Sequence, residues 1–221
     1  MRSERKYRFD ASGQCPLALL EQIRLGHLCD VAARLDVRLA IPATSSNFSL
    51  RRSAEHFLIS RSGKHKRALT PGDFLLVDLQ GKPLAPLAPK PSDETLLHAL
   101  VFKECPWINC ILHCHAPELE TLRPPLARIE GHELLKALGL PDHETAFEFA
   151  VFGNNQDMTK LASEISKRQF SKNKMKSGPV VFVLAQHGIY CGGESVERAE
   201  ACLESILHLL KHGPLVSSAR T

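Results

Sequence analysis

Apolar residues fall at helical spacing over residues 17–35, where Leu20, Ile23, Leu28, Val31 and Leu35 share one face, so an amphipathic helix is predicted to open the domain. A small, polar run follows over 42–51, and then a strand-like Phe57-Leu58-Ile59. A second apolar run, Phe74-Leu75-Leu76-Val77-Asp78, ends in the turn Gln80-Gly81-Lys82-Pro83 and reads as a strand. Four prolines between 83 and 91 predict an extended loop. Ser92-Asp93-Glu94-Thr95 looks like a helix start with Ser92 as the cap, because Leu96, Leu97, Leu100 and Val101 follow at helical spacing. Further along, strands are predicted at 110–115, 147–152 and 180–185. Helices are predicted at 133–138, 157–168 and 194–211. Strands and helices alternate irregularly with no repeat, no dividing linker and no glycine-rich dinucleotide or phosphate-loop fingerprint, which describes one α/β domain with a central sheet flanked by helices.

Composition narrows the class. The 221 residues are 43% hydrophobic and 24% charged, ordinary values for a globular domain, and no run approaches the roughly 18 apolar residues of a membrane helix. The first 14 residues are basic and polar without the apolar stretch of a signal peptide, so a cytoplasmic location is expected. The net charge is +4, and the densest basic stretch, Arg61 to Arg67, contains no aromatic residue. That argues against a nucleic-acid partner and suits a small anionic substrate such as a phosphate ester. Seven cysteines, an odd number with no pair at CxxC spacing, read as buried reduced thiols rather than a disulfide framework.

His113-Cys114-His115 is the sharpest chemical feature. Residues two apart in a strand project to the same side, so both imidazoles point one way at the end of an apolar strand. His187 closely follows another apolar strand. Two adjacent strand ends would gather three imidazoles, the donor set of a catalytic metal site with an open fourth position. The alternative is that these are core or loop histidines. Glu94, in the first turn of a helix, is either there for the macrodipole or stands beside the metal as ligand or proton acceptor. Asn47, Ser92 and the turn Ser62-Gly63-Lys64 carry the hydroxyl, amide and backbone donors of an anion site, although each alone is commonly a turn or a cap. Glu133 on its own is an ordinary surface helix residue. The remaining histidines, His98 among them, read as structural or solvated.

Seven segments in order resemble the zinc-dependent class II aldolase family, and more closely its methylthioribulose-1-phosphate dehydratase branch. They are 42–49 around Ser46-Asn47, 59–66 around Ser62-Gly63-Lys64, 90–98 around Ser92-Asp93-Glu94, His113-Cys114-His115-Ala116, 130–138 around Glu133, Asn155-Gln156-Asp157, and His187-Gly188-Ile189-Tyr190. The resemblance implies a single three-layer α/β/α domain with a mostly antiparallel central sheet, spanning 15–212, with 1–14 and 213–221 as flexible termini. It implies a homotetramer with sites at subunit interfaces. By matching positions it makes His113, His115 and His187 the ligands of one Zn2+ per subunit, and it puts Asn47, Ser62, Gly63 and Ser92 on the substrate phosphate. Lys64 and Lys66 would add charge there. Glu94 matches the metal-side glutamate of the aldolases, and Glu133 matches the catalytic acid/base of the dehydratase branch.

Two departures are notable. Ser46 stands where many relatives have glycine, and Gly192 precedes Gly193 where relatives often carry an aromatic residue. Aldolases of the family tend to carry tyrosines near the Glu133 segment and the C-terminus. This chain has only Tyr7 and Tyr190. The implied reaction is therefore loss of water from a sugar phosphate, 5-methylthioribulose 1-phosphate, as a hydro-lyase of methionine salvage. A sugar-phosphate aldolase or epimerase using the same metal and phosphate sites is the nearest alternative, and a non-catalytic binding protein on the same fold is the other.

Overall fold

The computed structural model describes residues 19–39, 44–170, 177–213 and 215–217. Its elements run α1 (Leu19–Leu39), β1 (Asn47–Arg51), β2 (His56–Ser60), β3 (Phe74–Asp78), α2 (Thr95–Glu104), β4 (Cys110–Cys114), β5 (Leu126–Ile129), β6 (Phe147–Phe152), α3 (Met158–Ile165), β7 (Val180–Leu184), β8 (Gly188–Gly193), α4 (Val196–His212) and β9 (Leu215–Ser217). The strands form one sheet in the order β3-β2-β1-β4-β8-β7-β6-β5-β9. Among the described residues only the β6–β7 pair is parallel, so the sheet is mostly antiparallel, as the resemblance implied.

Two apolar layers cover it. Alternate strand residues, Phe48 and Leu50 on β1, Leu112 on β4, Val181 and Val183 on β7, pack with α1 and α4 on one face. The intervening residues, Ile111 on β4, Phe182 on β7 and Tyr190 on β8, pack with α2 and α3 on the other. Each fully buried side chain of this size contributes about 1.5–3 kcal/mol relative to exposure, and the two faces together give the three-layer α/β/α arrangement.

Several sequence expectations change. The polar run before Arg51 is not all loop: Asn47 opens β1, pairing with His113 of β4. Its Asn47 and Ser49 are polar because they face α2 rather than the larger core. Ser92 does not cap α2 directly. Glu94 takes the cap position, and the Ser92 hydroxyl accepts a hydrogen bond from its amide. Leu20 and Ile23, expected on the buried face of α1, are exposed, whereas Leu28, Val31 and Leu35 are buried. The segment 133–138 is a 3-10 turn rather than an α-helix, and β5, β8 and β9 were not anticipated. Cys15, Tyr7, Pro42 and the residues before 19 lie outside the described residues. The other six cysteines are buried and free. No helix among the described residues is long and apolar enough to cross a membrane.

Candidate metal centre

The antiparallel β1–β4–β8 block builds the site. Asn47 lies opposite His113, and His113 lies opposite Tyr190, so the three side chains emerge side by side on the face covered by α2. His115 follows β4 by one residue, and His187 sits in the tight connection between β7 and β8. From α2 come Glu94 and, one turn later, His98. Glu94, His113, His115 and His187 each offer a ligating atom, and these atoms all lie within 4.8 Å of one another.

Hydrogen bonding fixes which ring nitrogens face inward. His113 Nδ1 is 3.0 Å from the Ile189 carbonyl oxygen, an acceptor, so this nitrogen carries the proton and Nε2 presents a lone pair. His187 Nδ1 likewise points to Asn154 Oδ1 at 3.3 Å. His113 Nε2 approaches His115 Nε2 to 2.9 Å and Glu94 Oε2 to 3.1 Å, while His187 Nε2 lies 2.9 Å from Glu94 Oε1. Glu94 Oε1 is buried and receives no properly directed hydrogen bond. Converging imidazole lone pairs and an orphaned carboxylate oxygen are mutually repulsive unless a cation sits among them, so the donor set fits a divalent metal.

The electrostatics agree. Burial raises the Glu94 carboxyl, while positive charge on the facing His113 and His187 rings would hold it well below the usual carboxylate range. With both rings neutral as ligands, a metal cation in the cluster would supply that charge instead. Burial, reinforced by His113 and His187, lowers His115 to about 4, keeping it neutral as a ligand must be. Tyr190 stacks on His113 at 4.1 Å between ring centres and on Phe182 at 4.6 Å. Burial and the nearby Glu94 charge keep its phenol protonated.

Behind Glu94 lies a chain that sequence reasoning missed. Asn47 Nδ2 donates to Glu94 Oε2 (2.6 Å) and to Ser92 Oγ (3.0 Å). Asn47 Oδ1 is 2.5 Å from His98 Nε2, and His98 Nδ1 is 2.6 Å from Ser49 Oγ. The signal was present in the spacing, Asn47 and Ser49 two apart on a strand and Glu94 and His98 four apart on a helix, but only their juxtaposition gives it meaning.

The expected anion segments meet as well. An antiparallel bridge of Arg61 to Pro91, and a bond from the Ser62 amide to the Lys90 carbonyl, join the segment carrying Ser62 and Gly63 to the one that leads into Ser92. Gly63 holds φ +73°, a conformation that favours glycine. Asn47 spends its amide on Ser92 and Glu94. Lys64 pairs with Asp73 at 3.3 Å. Lys66 adds no free charge, since its ammonium is buried on the carbonyls of Thr44 and Lys64. Arg67 is held by Asp36. Ser46 and Gln186, each directly preceding a site residue, are non-glycine residues in the left-handed region at φ 71° and 57°. The hydroxyls of Ser45 and Ser46 are buried without a partner.

A cavity of about 550 Å³ opens beside the cluster, with His115 and His187 on one side and Pro117, Leu119, Glu120 and Arg123 among its walls. Glu133 stands apart from these residues: it is exposed, pairs with Lys136 at 2.6 Å and faces His143 at 3.7 Å.

A three-layer sheet domain that gathers three histidines from strand ends and a glutamate from a helix start has the donor set that suits a divalent metal. The chain belongs to the Class II Aldolase and Adducin N-terminal domain family, whose model matches residues 26–212. Over 192 residues it is 38% identical to the methylthioribulose-1-phosphate dehydratase of Acidiphilium cryptum, covering 85% of this chain and 88% of that one. It is 40% identical over 177 residues to the dehydratase of the same name from Xanthomonas campestris pv. campestris strain B100, covering 76% and 78%. Among solved structures, L-fuculose-1-phosphate aldolase from Thermus thermophilus shares the fold with a TM-score of 0.66 at 22% identity, over 86% of this chain and 93% of that one.

Proposed function

We propose that this chain is a hydro-lyase that removes water from 5-methylthioribulose 1-phosphate to give 2,3-diketo-5-methylthiopentyl 1-phosphate, a step of methionine salvage. The observation that carries the reading is the 38% identity held along 85% of the chain to a dehydratase of that substrate. The catalytic unit is 15–212, working in the cytoplasm as a homotetramer whose sites lie where subunits meet.

His113, His115 and His187 would hold one zinc ion, with Glu94 completing the donor set that the cluster offers. A zinc ion bound there supplies Lewis acidity to the substrate oxygens around the carbon that loses its proton. Ser62, Gly63, Ser92 and Lys64 take the phosphate, and Asn47 orients the Ser92 hydroxyl. Glu133 takes the C3 proton, the C3–C4 double bond forms as the C4 hydroxyl departs, and Glu133 returns the proton to that hydroxyl so that water leaves. The resulting enol tautomerises to the diketone. The hydrogen bond from Lys136 lowers the Glu133 carboxyl, keeping it ionised as a base must be. This role requires the oligomer to bring the exposed Glu133 to the substrate.

The test is mass analysis of the products formed from 5-methylthioribulose 1-phosphate by zinc-loaded protein. A product lighter by one water with its carbon skeleton whole supports the reading. Two carbon fragments would make the protein an aldolase, and unchanged substrate would overturn the assignment.

A further inference from the structure

We propose that His98, Asn47 and Ser49 form a positioning relay that turns Glu94 toward the metal, with His98 locked as its Nε2–H tautomer. The purpose of the relay rests on the metal-centre reading above.

The direction of every bond follows from the chemistry of its ends. Glu94 is an ionised carboxylate and can only accept, so the Asn47 atom 2.6 Å from Oε2 must be the amide nitrogen. Its other end, Oδ1, then faces His98 Nε2 at 2.5 Å, and that nitrogen must donate. A neutral imidazole with its proton on Nε2 can only accept at Nδ1, so the hydroxyl of Ser49, 2.6 Å away, donates there. One orientation of the whole chain satisfies all four groups. Reversing any link sets lone pair against lone pair in a region where His98 and Ser49 are fully buried.

The relay has a mechanical result. Oε2 of Glu94 is tied to β1 through Asn47, which leaves Oε1 facing His187 without a directed donor. His98 is neither one of the clustered donors nor a wall of the cavity. Its hydrogen-bonded route to Glu94 runs through Asn47, and its ring also meets the edge of Tyr190 at 5.6 Å between centres. Fold packing alone would be met by any side chain of its size. The relay demands a donor at one end and an acceptor at the other.

Two measurements on the zinc-loaded protein test this. Long-range 1H–15N correlation of the imidazoles, with the His98 signal identified by its loss in His98→Gln, should show a neutral ring protonated on Nε2. A ring protonated on Nδ1, or on both nitrogens, overturns the proposal. Zinc affinity by competition with a chromogenic chelator should fall about 10- to 100-fold in His98→Phe, with His98→Gln, which can both donate and accept, recovering part of the loss. Ser49→Ala, a small change that keeps the packing, should show a smaller fall and serves if His98→Phe does not fold. Unchanged affinity in a folded His98→Phe, or in Ser49→Ala when that is the only folded variant, overturns the proposal. Neither readout uses turnover, so failure of the dehydratase reading would leave them intact.

Discussion

Gly188 is the position where the fold is most directly coupled to the candidate metal centre. It opens β8 immediately after His187 and lies against the end of β4. A methyl group there would come within 2.5 Å of His113 Cε1 and 2.6 Å of the Cys114 carbonyl oxygen. Ordinary contact begins near 3.4 Å, so in Gly188→Ala the histidine ring or the strand must give by about 0.9 Å, the difference of the two distances. The carbonyl belongs to a paired strand and cannot move freely, so most of the shift falls on His113 and on the β4–β8 pairing. Overpacking of this kind costs about 2 kcal/mol, which lowers the melting temperature of a domain this size by about 4–8 °C. Displacing one ligand by nearly an ångström should also weaken metal binding by about 10-fold or more, on the scale of lost outer contacts. Chelator competition and thermal melting of metal-free protein read the two effects separately. A Gly188→Ala protein with the original affinity and melting temperature would refute the reasoning.

Three other outcomes are expected. Glu133→Gln should lower turnover by about 10²–10⁴-fold while leaving zinc content unchanged and stability within about 0.5 kcal/mol, because the side chain is exposed. Near-normal turnover would remove Glu133 from the scheme. His115→Ala should lose the bound metal, and chelation of the wild type should abolish activity that added zinc restores, both read by metal analysis beside the rate. Burial pushes the Lys66 ammonium from 10.5 down to about 8, so between those values the unfolded chain binds more protons than the native one, and stability rises with pH. Denaturant midpoints from pH 7 to 10.5 should therefore show the wild type gaining about 2–3 kcal/mol on Lys66→Met. A constant difference between them would contradict the burial argument.

Legibility in the sequence followed the strength of local pattern. Phe74–Asp78, Phe147–Phe152 and Val180–Leu184 were readable because apolar runs bounded by turn residues have few other uses. β1 was hidden because its inward positions on the α2 side, Asn47 and Ser49, are polar for the sake of the site. β8 was hidden because three of its six residues are glycine, two of them with a neighbouring strand or helix where a side chain would be. The His113–His115 pair was legible from the two-residue period of a strand. His187 needed the β4–β8 pairing to bring it there, which no local pattern encodes. His98 was unreadable for a related reason: its partners lie 49 and 51 positions away along the chain. Glu133 entered through the resemblance alone, since a solvent-facing glutamate paired with a lysine three residues on has no signature of its own.

The central claim is that one metal ion at the Glu94, His113, His115 and His187 cluster supports loss of water from the sugar phosphate. Zinc titration into metal-free protein, with water loss from 5-methylthioribulose 1-phosphate followed at each addition, tests it most directly. The expected result is a rate that climbs from near zero to a plateau at one zinc per chain. Full activity without metal, or a metal-saturated protein that leaves the substrate intact, would contradict it.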